Sequence, residues 1–123
     1  MSNGSEIKWT TEPEEKDYLA VESYLALVYD DQQVKNIVAA LRNQQMTKFK
    51  AKDIFRASGL SLLGVSNYHV DKDRKKVKDG KQLSPIILVR DQKNGKVVIA
   101  DGYHRMCAVY TFSEDEWIPC KIV

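Results

Sequence analysis

Residues 85–105 read Pro-Ile-Ile-Leu-Val-Arg-Asp-Gln-Lys-Asn-Gly-Lys-Val-Val-Ile-Ala-Asp-Gly-Tyr-His-Arg, and the fold turns on this stretch. Pro85 to Val89 form an apolar run with no polar alternation, which predicts a strand buried on both faces. Asn94-Gly95 is the strongest short hairpin signal in the chain. Val97 to Ala100 supply the returning strand. Asp101 to Arg105 then lead into a helix expected over about 105–112, with Gly102 as the residue that lets the backbone turn.

Working outward, the acidic turn Glu114 to Glu116 precedes a last strand from Ile118 to Val123. Upstream, a basic helix is expected over 72–78, capped by Asp71 and closed by Gly80. Asn67 and His69 lie in the loop before it. Residues 47–55 read as a short strand with Phe49, Ala51 and Ile54 inward, and Arg56 to Gly59 as a turn. Thr11 with Glu14 resembles a capping box, so a helix is expected from about 12 to 28, with Tyr18, Val21, Leu25 and Val28 as its apolar stripe. A second helix over 32–43 has Val34, Ile37, Val38 and Leu41 on one face, and the short link makes a helical hairpin. Residues 1–10 read as a loose tail. The expected fold class is a small mixed α/β (α+β) domain. It is a single unit of 1–123, with an N-terminal helical hairpin at 12–45 and a core at 49–123.

The composition suits one soluble domain: 123 residues, 43% hydrophobic and 29% charged, which is neither disordered nor membrane-spanning. Met1 to Ile7 lack the apolar core of a secretory signal, so a cytoplasmic protein is expected. Net charge is +2, but unevenly spread. Residues 1–31 hold eight acids and two bases, whereas residues 32–81 hold twelve bases and four acids. An anionic partner would be drawn to the middle third. Cys107 and Cys120 sit among apolar neighbours and read as small buried residues. With two histidines and no metal-ligand spacing, no structural metal is expected.

Asp101-Gly102-Tyr103-His104-Arg105 is the best candidate for chemistry. Free N–H groups at a helix start bind anions. His104 and Arg105 place cations against the helix dipole there, which makes sense if a phosphate or carboxylate is the partner. The alternative is a tight turn in which Asp101 pairs with Arg105. Lys52, Arg56 and Ser58 could add a cation, a guanidinium and a hydroxyl from the facing segment, or could simply be solvated residues of an edge strand. Asp101 and His104 are the candidate general acid or base.

The Pro-Ile strand entry, the Asn94-Gly95 hairpin, the run Ile99 to Ala108 and the ending Ile118-Pro119-Cys120-Lys121-Ile122-Val123 together resemble the ParB N-terminal and sulfiredoxin superfamily. The resemblance covers roughly residues 49–123. The whole chain also resembles a small bacterial family of ParB-like domains. The resemblance implies a nucleotide site, with Gly102, His104 and Arg105 at the phosphates of ATP, ADP or CTP. Phosphates would rest on the amides at 102–105, Tyr103 included, and Asp101 is the carboxylate expected to bind Mg2+ or to orient an acceptor hydroxyl. Sulfiredoxin chemistry is disfavoured, because Tyr103 stands where that activity needs a cysteine. A partitioning ParB continues into a helix-turn-helix region, which a chain ending at Val123 is expected to lack.

The functional expectation is therefore a nucleotide- or phosphate-binding protein, working as an ATP- or ADP-dependent phosphotransferase or phosphohydrolase on a small molecule. Fold alone does not choose among the superfamily's activities. Three alternatives stay open. One is a non-catalytic nucleotide-sensing module. Another is a protein-interaction module, including a homo-oligomer built on the hairpin. The third is a nucleic-acid binder or nuclease using the basic stretch 72–81. No membrane partner is expected.

Overall fold

The computed structural model describes residues 6–123. Its elements are β1 (Lys8–Trp9), α1 (Glu15–Leu25), α2 (Asp31–Asn43), β2 (Thr47–Lys50), α3 (Ala51–Ser58), α4 (Tyr68–Lys78), β3 (Gln82–Leu83), β4 (Ile86–Asp91), β5 (Lys96–Asp101), α5 (Tyr103–Phe112) and β6 (Trp117–Ile122). The fold is mixed α+β, as the sequence predicts. The main sheet has the order β2-β6-β4-β5, and β1 pairs with β3 in a separate parallel pair. In the main sheet β4 runs parallel to β6 and antiparallel to β5, while β2 is antiparallel to β6.

The apolar run has a simple origin. Successive strand residues point to opposite faces, and both faces of β4 are covered. Ile86 and Leu88 enter one core with residues of α3, α4 and α5, while Ile87 and Val89 enter another with α1 and α2. The helical hairpin and the three later helices thus sandwich the sheet. The first helix carries Tyr18, Val21 and Leu25 inward and the second carries Val34, Val38 and Leu41. Arg42 closes the hairpin with two hydrogen bonds to the Glu15 carboxylate, at 2.8 and 2.7 Å. Lys121 is buried on the hairpin side of β6, donating to Glu12 at 3.0 Å and to the Arg42 carbonyl at 3.2 Å.

Several expectations are corrected. The tail is not loose where it is described: Ile7 is buried, β1 pairs with β3, and the Thr10 amide donates to the Leu83 carbonyl at 2.8 Å; its residues 1–5 lie outside the described chain. The capping box of α1 is Glu14 with Asp17, not Thr11 with Glu14, so the helix starts later. It also ends at Leu25, which leaves Val28 exposed. The strand expected over 47–55 stops at Lys50 and becomes α3. Ala51, Ile54 and Ser58 are its buried residues, a helical spacing that overrides the alternation before it. Helix α4 starts at Tyr68 because Asn67 caps it, its side chain accepting from the amides of His69 and Val70. The β4–β5 turn is not a two-residue hairpin. Gln92–Asn94 form a short 3-10 turn, and Gly95 closes it with φ +65°.

Candidate functional site

Two features build the Asp101–Arg105 junction. The first is a bulge. The ladder pairs Leu88 with Ile99 but Ile87 with Asp101, passing over Ala100. A bulge re-aims the side chains that follow it. Asp101 therefore comes opposite Ile87, on the hairpin side of the sheet, where α1 also buries the Asp17 carboxyl. The second is Gly102, which has φ +101° and caps α5 through its backbone. A Cβ there would lie 2.5 Å from Cδ1 of Ile86 and 3.0 Å from a guanidinium nitrogen of Arg105. Only glycine fits, and α5 accordingly starts two residues earlier than the sequence suggests.

Arg105 is turned inward. Its Nη2 donates to Asp101 Oδ2 at 2.7 Å and to the Pro85 carbonyl at 3.2 Å, and its buried Nε has no hydrogen-bond partner. The side chains of Arg105 and Asp101 are only 17% and 14% exposed. Burial pushes the Asp101 carboxyl above the usual carboxylate range; Arg105 pulls the other way and Asp17 adds to the rise. The tight-turn arrangement is thus present, and it occupies the two groups assigned to phosphate and Mg2+. Arg105 holds one oxygen of Asp101, and its positive charge opposes a second cation at the same carboxylate. Among the described residues no group of three or more His, Cys, Asp or Glu could hold a metal.

The outer side of the junction is different. Helices α4 and α5 run parallel: the His69 ring meets that of His104 in a tilted contact, centroids 4.7 Å apart and planes inclined by 41°, and further along Arg74 donates to Thr111 at 2.9 Å. Both positive helix ends therefore meet at one place. Tyr103 adds its ring 5.5 Å from His104, and its hydroxyl donates to the Ser61 carbonyl of the facing loop. Helix α4 is capped by Asn67, α2 by Asp30, and α3 by the Glu114 and Glu116 carbonyls. By contrast, the first-turn amides of Tyr103, His104 and Arg105 have no hydrogen-bond partner among the described residues, and the first turn holds no acid. Burial lowers the His104 pKa and His69 lowers it further, against Asp73. A neutral imidazole, able to donate or accept, is the expected form at pH 7.

The remaining sequence candidates lie apart. Lys52 pairs with Asp115 at 2.6 Å. Ser58 is buried in local hydrogen bonds to Phe55 and Leu60. Gly59, just beyond, lies against Lys96 at the opposite end of β5 from Asp101, and Arg56 is exposed on the same short helix. Cys107 is buried, and burial raises its thiol pKa; the Cys120 thiol is pushed up to about 12. Neither is a nucleophile at neutral pH.

Sequence reasoning missed His69 and Asp17. No spacing joins His69 to His104. Asp17 did carry a signal, since it lies in line with Val21 and Leu25 on the buried face of α1. Comparison with protein-family models, curated proteins and solved structures found no match to the chain.

Proposed function

We propose that this protein binds phosphate-bearing ligands, with a nucleotide such as ATP, ADP or CTP as the leading class, at the outer face of the α5 N-terminus. The observation that carries this reading is the meeting of two parallel helix starts with three unpartnered amides beside His104. Such a place attracts anions through both the helix dipoles and the free N–H groups. The resemblance to the ParB and sulfiredoxin superfamily adds support through its Gly-x-His-Arg junction, here Gly102, His104 and Arg105, although Arg105 is turned onto Asp101 and leaves Gly102 and His104 to face the ligand. Arg105 acts here as a positioning residue, holding the junction from inside.

Binding is what these groups support most directly. Transfer also needs a group to orient the acceptor; Asp101 faces Arg105 instead, which leaves the neutral His104 imidazole as the candidate for that role. Any Mg2+ would arrive with the nucleotide phosphates rather than on a protein site.

The test is thermal denaturation with ATP, ADP and CTP, each with and without Mg2+, on the wild type and His104→Glu. An acid in the first turn favours the helix by about 0.3–1 kcal/mol but repels phosphate. The variant should keep or raise the ligand-free melting temperature and lose the nucleotide-induced rise. A rise that persists in the variant would overturn the assignment.

One observation favours a second reading, protein contact through the hairpin. Leu19, Tyr24, Leu27 and Val28 are all exposed there, Leu27 at 87%, and contiguous exposed apolar surface marks interfaces. Sedimentation should show a dimer that Leu27→Glu dissociates; a monomer with no partner-dependent change contradicts this reading.

A further inference from the structure

A cleft of about 380 Å³ opens between α3 and the sheet, at the other end of β5 from the junction. Lys96 and Asp101 are separated by about 16 Å of strand at ~3.3 Å per residue, so the two places are distinct. The cleft floor is apolar, made by Phe49, Ile54, Leu88 and Ile122. Its volume falls within the roughly 300–1,000 Å³ usual for small-molecule sites, which combine apolar walls with a few polar groups.

The polar groups are Arg90, Lys96, Asp53 and Gln92. Arg90 sits two residues beyond the floor residue Leu88 on β4, so it leaves the sheet on the same face. Neither Arg90 nor Lys96 makes an ion pair among the described residues, and Asp53 pairs with neither. Two cations and one acid leave one positive charge in excess beside an apolar floor. Apolar walls exclude inorganic phosphate as a good occupant, and the excess cation disfavours a neutral hydrocarbon relative to an acid of the same body.

We infer that this cleft is a binding site for a small organic anion, an apolar body carrying one carboxylate that Arg90 and Lys96 hold at the rim. The inference is independent of phosphate binding at α5.

The test uses 2-naphthoate and its uncharged counterpart 2-naphthalenemethanol, titrated into 15N-labelled protein. The carboxylate should shift the amides of α3 and of residues 90–97, and should bind at least tenfold more tightly than the alcohol. The double variant R90Q/K96Q should abolish that preference. Ala57→Phe, a change at an exposed position on the cleft wall, should block both ligands. Amide spectra of the free variants check that each remains folded, and a variant that does not is replaced by the single changes R90Q or Ala57→Leu. Equal affinity for the two ligands, shifts that map elsewhere, or a preference unaffected by the charge changes would each overturn the inference.

Discussion

Replacing Gly102 with alanine tests the geometry of the junction in two separable parts. The backbone there has φ +101°, which costs an L-residue about 1–2 kcal/mol. The new methyl would also lie 2.5 Å from Cδ1 of Ile86. Ile86 is fully buried, so its side chain must be displaced within a packed core, at a cost of about 1–3 kcal/mol. The expected loss is therefore roughly 2–5 kcal/mol. Ile86→Val alone should cost about 0.5–1.5 kcal/mol, but it removes the methyl that clashes. In a chain already carrying Ile86→Val, Gly102→Ala should cost the backbone term and the smaller adjustment of the Arg105 guanidinium, which the new methyl would approach to 3.0 Å. The double-mutant cycle, measured by urea denaturation, should therefore give a favourable coupling of about 1–3 kcal/mol, the size of the Ile86 displacement, above the roughly 0.5 kcal/mol of non-interacting sites. Additive effects would mean that the methyl and Ile86 do not meet, and a Gly102→Ala loss below about 1 kcal/mol would contradict the strained backbone as well.

Other outcomes follow from the same residues. Arg105→Ala leaves the Asp101 carboxyl buried without its partner and should cost about 3 kcal/mol in denaturant; adding Asp101→Asn should recover part of that, and failure to do so would contradict the pairing. His104 has a pKa below 6.5 when folded, so the unfolded chain takes up the proton first. Its contribution is present above pH 6.5 and lost as pH falls from there through the folded value. His104→Gln should therefore flatten the fall in urea midpoint between pH 7 and pH 5, and an unchanged profile would refute the shift.

The β4 strand was legible because an uninterrupted apolar run requires cover on both faces, and the two cores meeting Ile86 and Ile87 supply it. The hairpin was legible from its stripes. The start of α3 was not, because Thr47 to Ala51 satisfy strand alternation and Ala51 to Ser58 satisfy helical spacing, and only pairing with β6 limits the strand. At the site, the five junction residues were visible as a cluster, but not the direction each one faces. That direction depends on the bulge at Ala100 and on Asp17, 84 positions away in sequence from Asp101. A single sequence has no local signal for either, nor for the parallel packing that brings His69 onto His104.

The claim of phosphate binding at α5 meets its most direct test in an amide NMR titration with ADP, with and without Mg2+. The largest shifts should fall on the Tyr103, His104 and Arg105 amides and on His69, saturating with a single affinity and vanishing in His104→Glu. Shifts confined to the lysines of α4, or none anywhere, would contradict it.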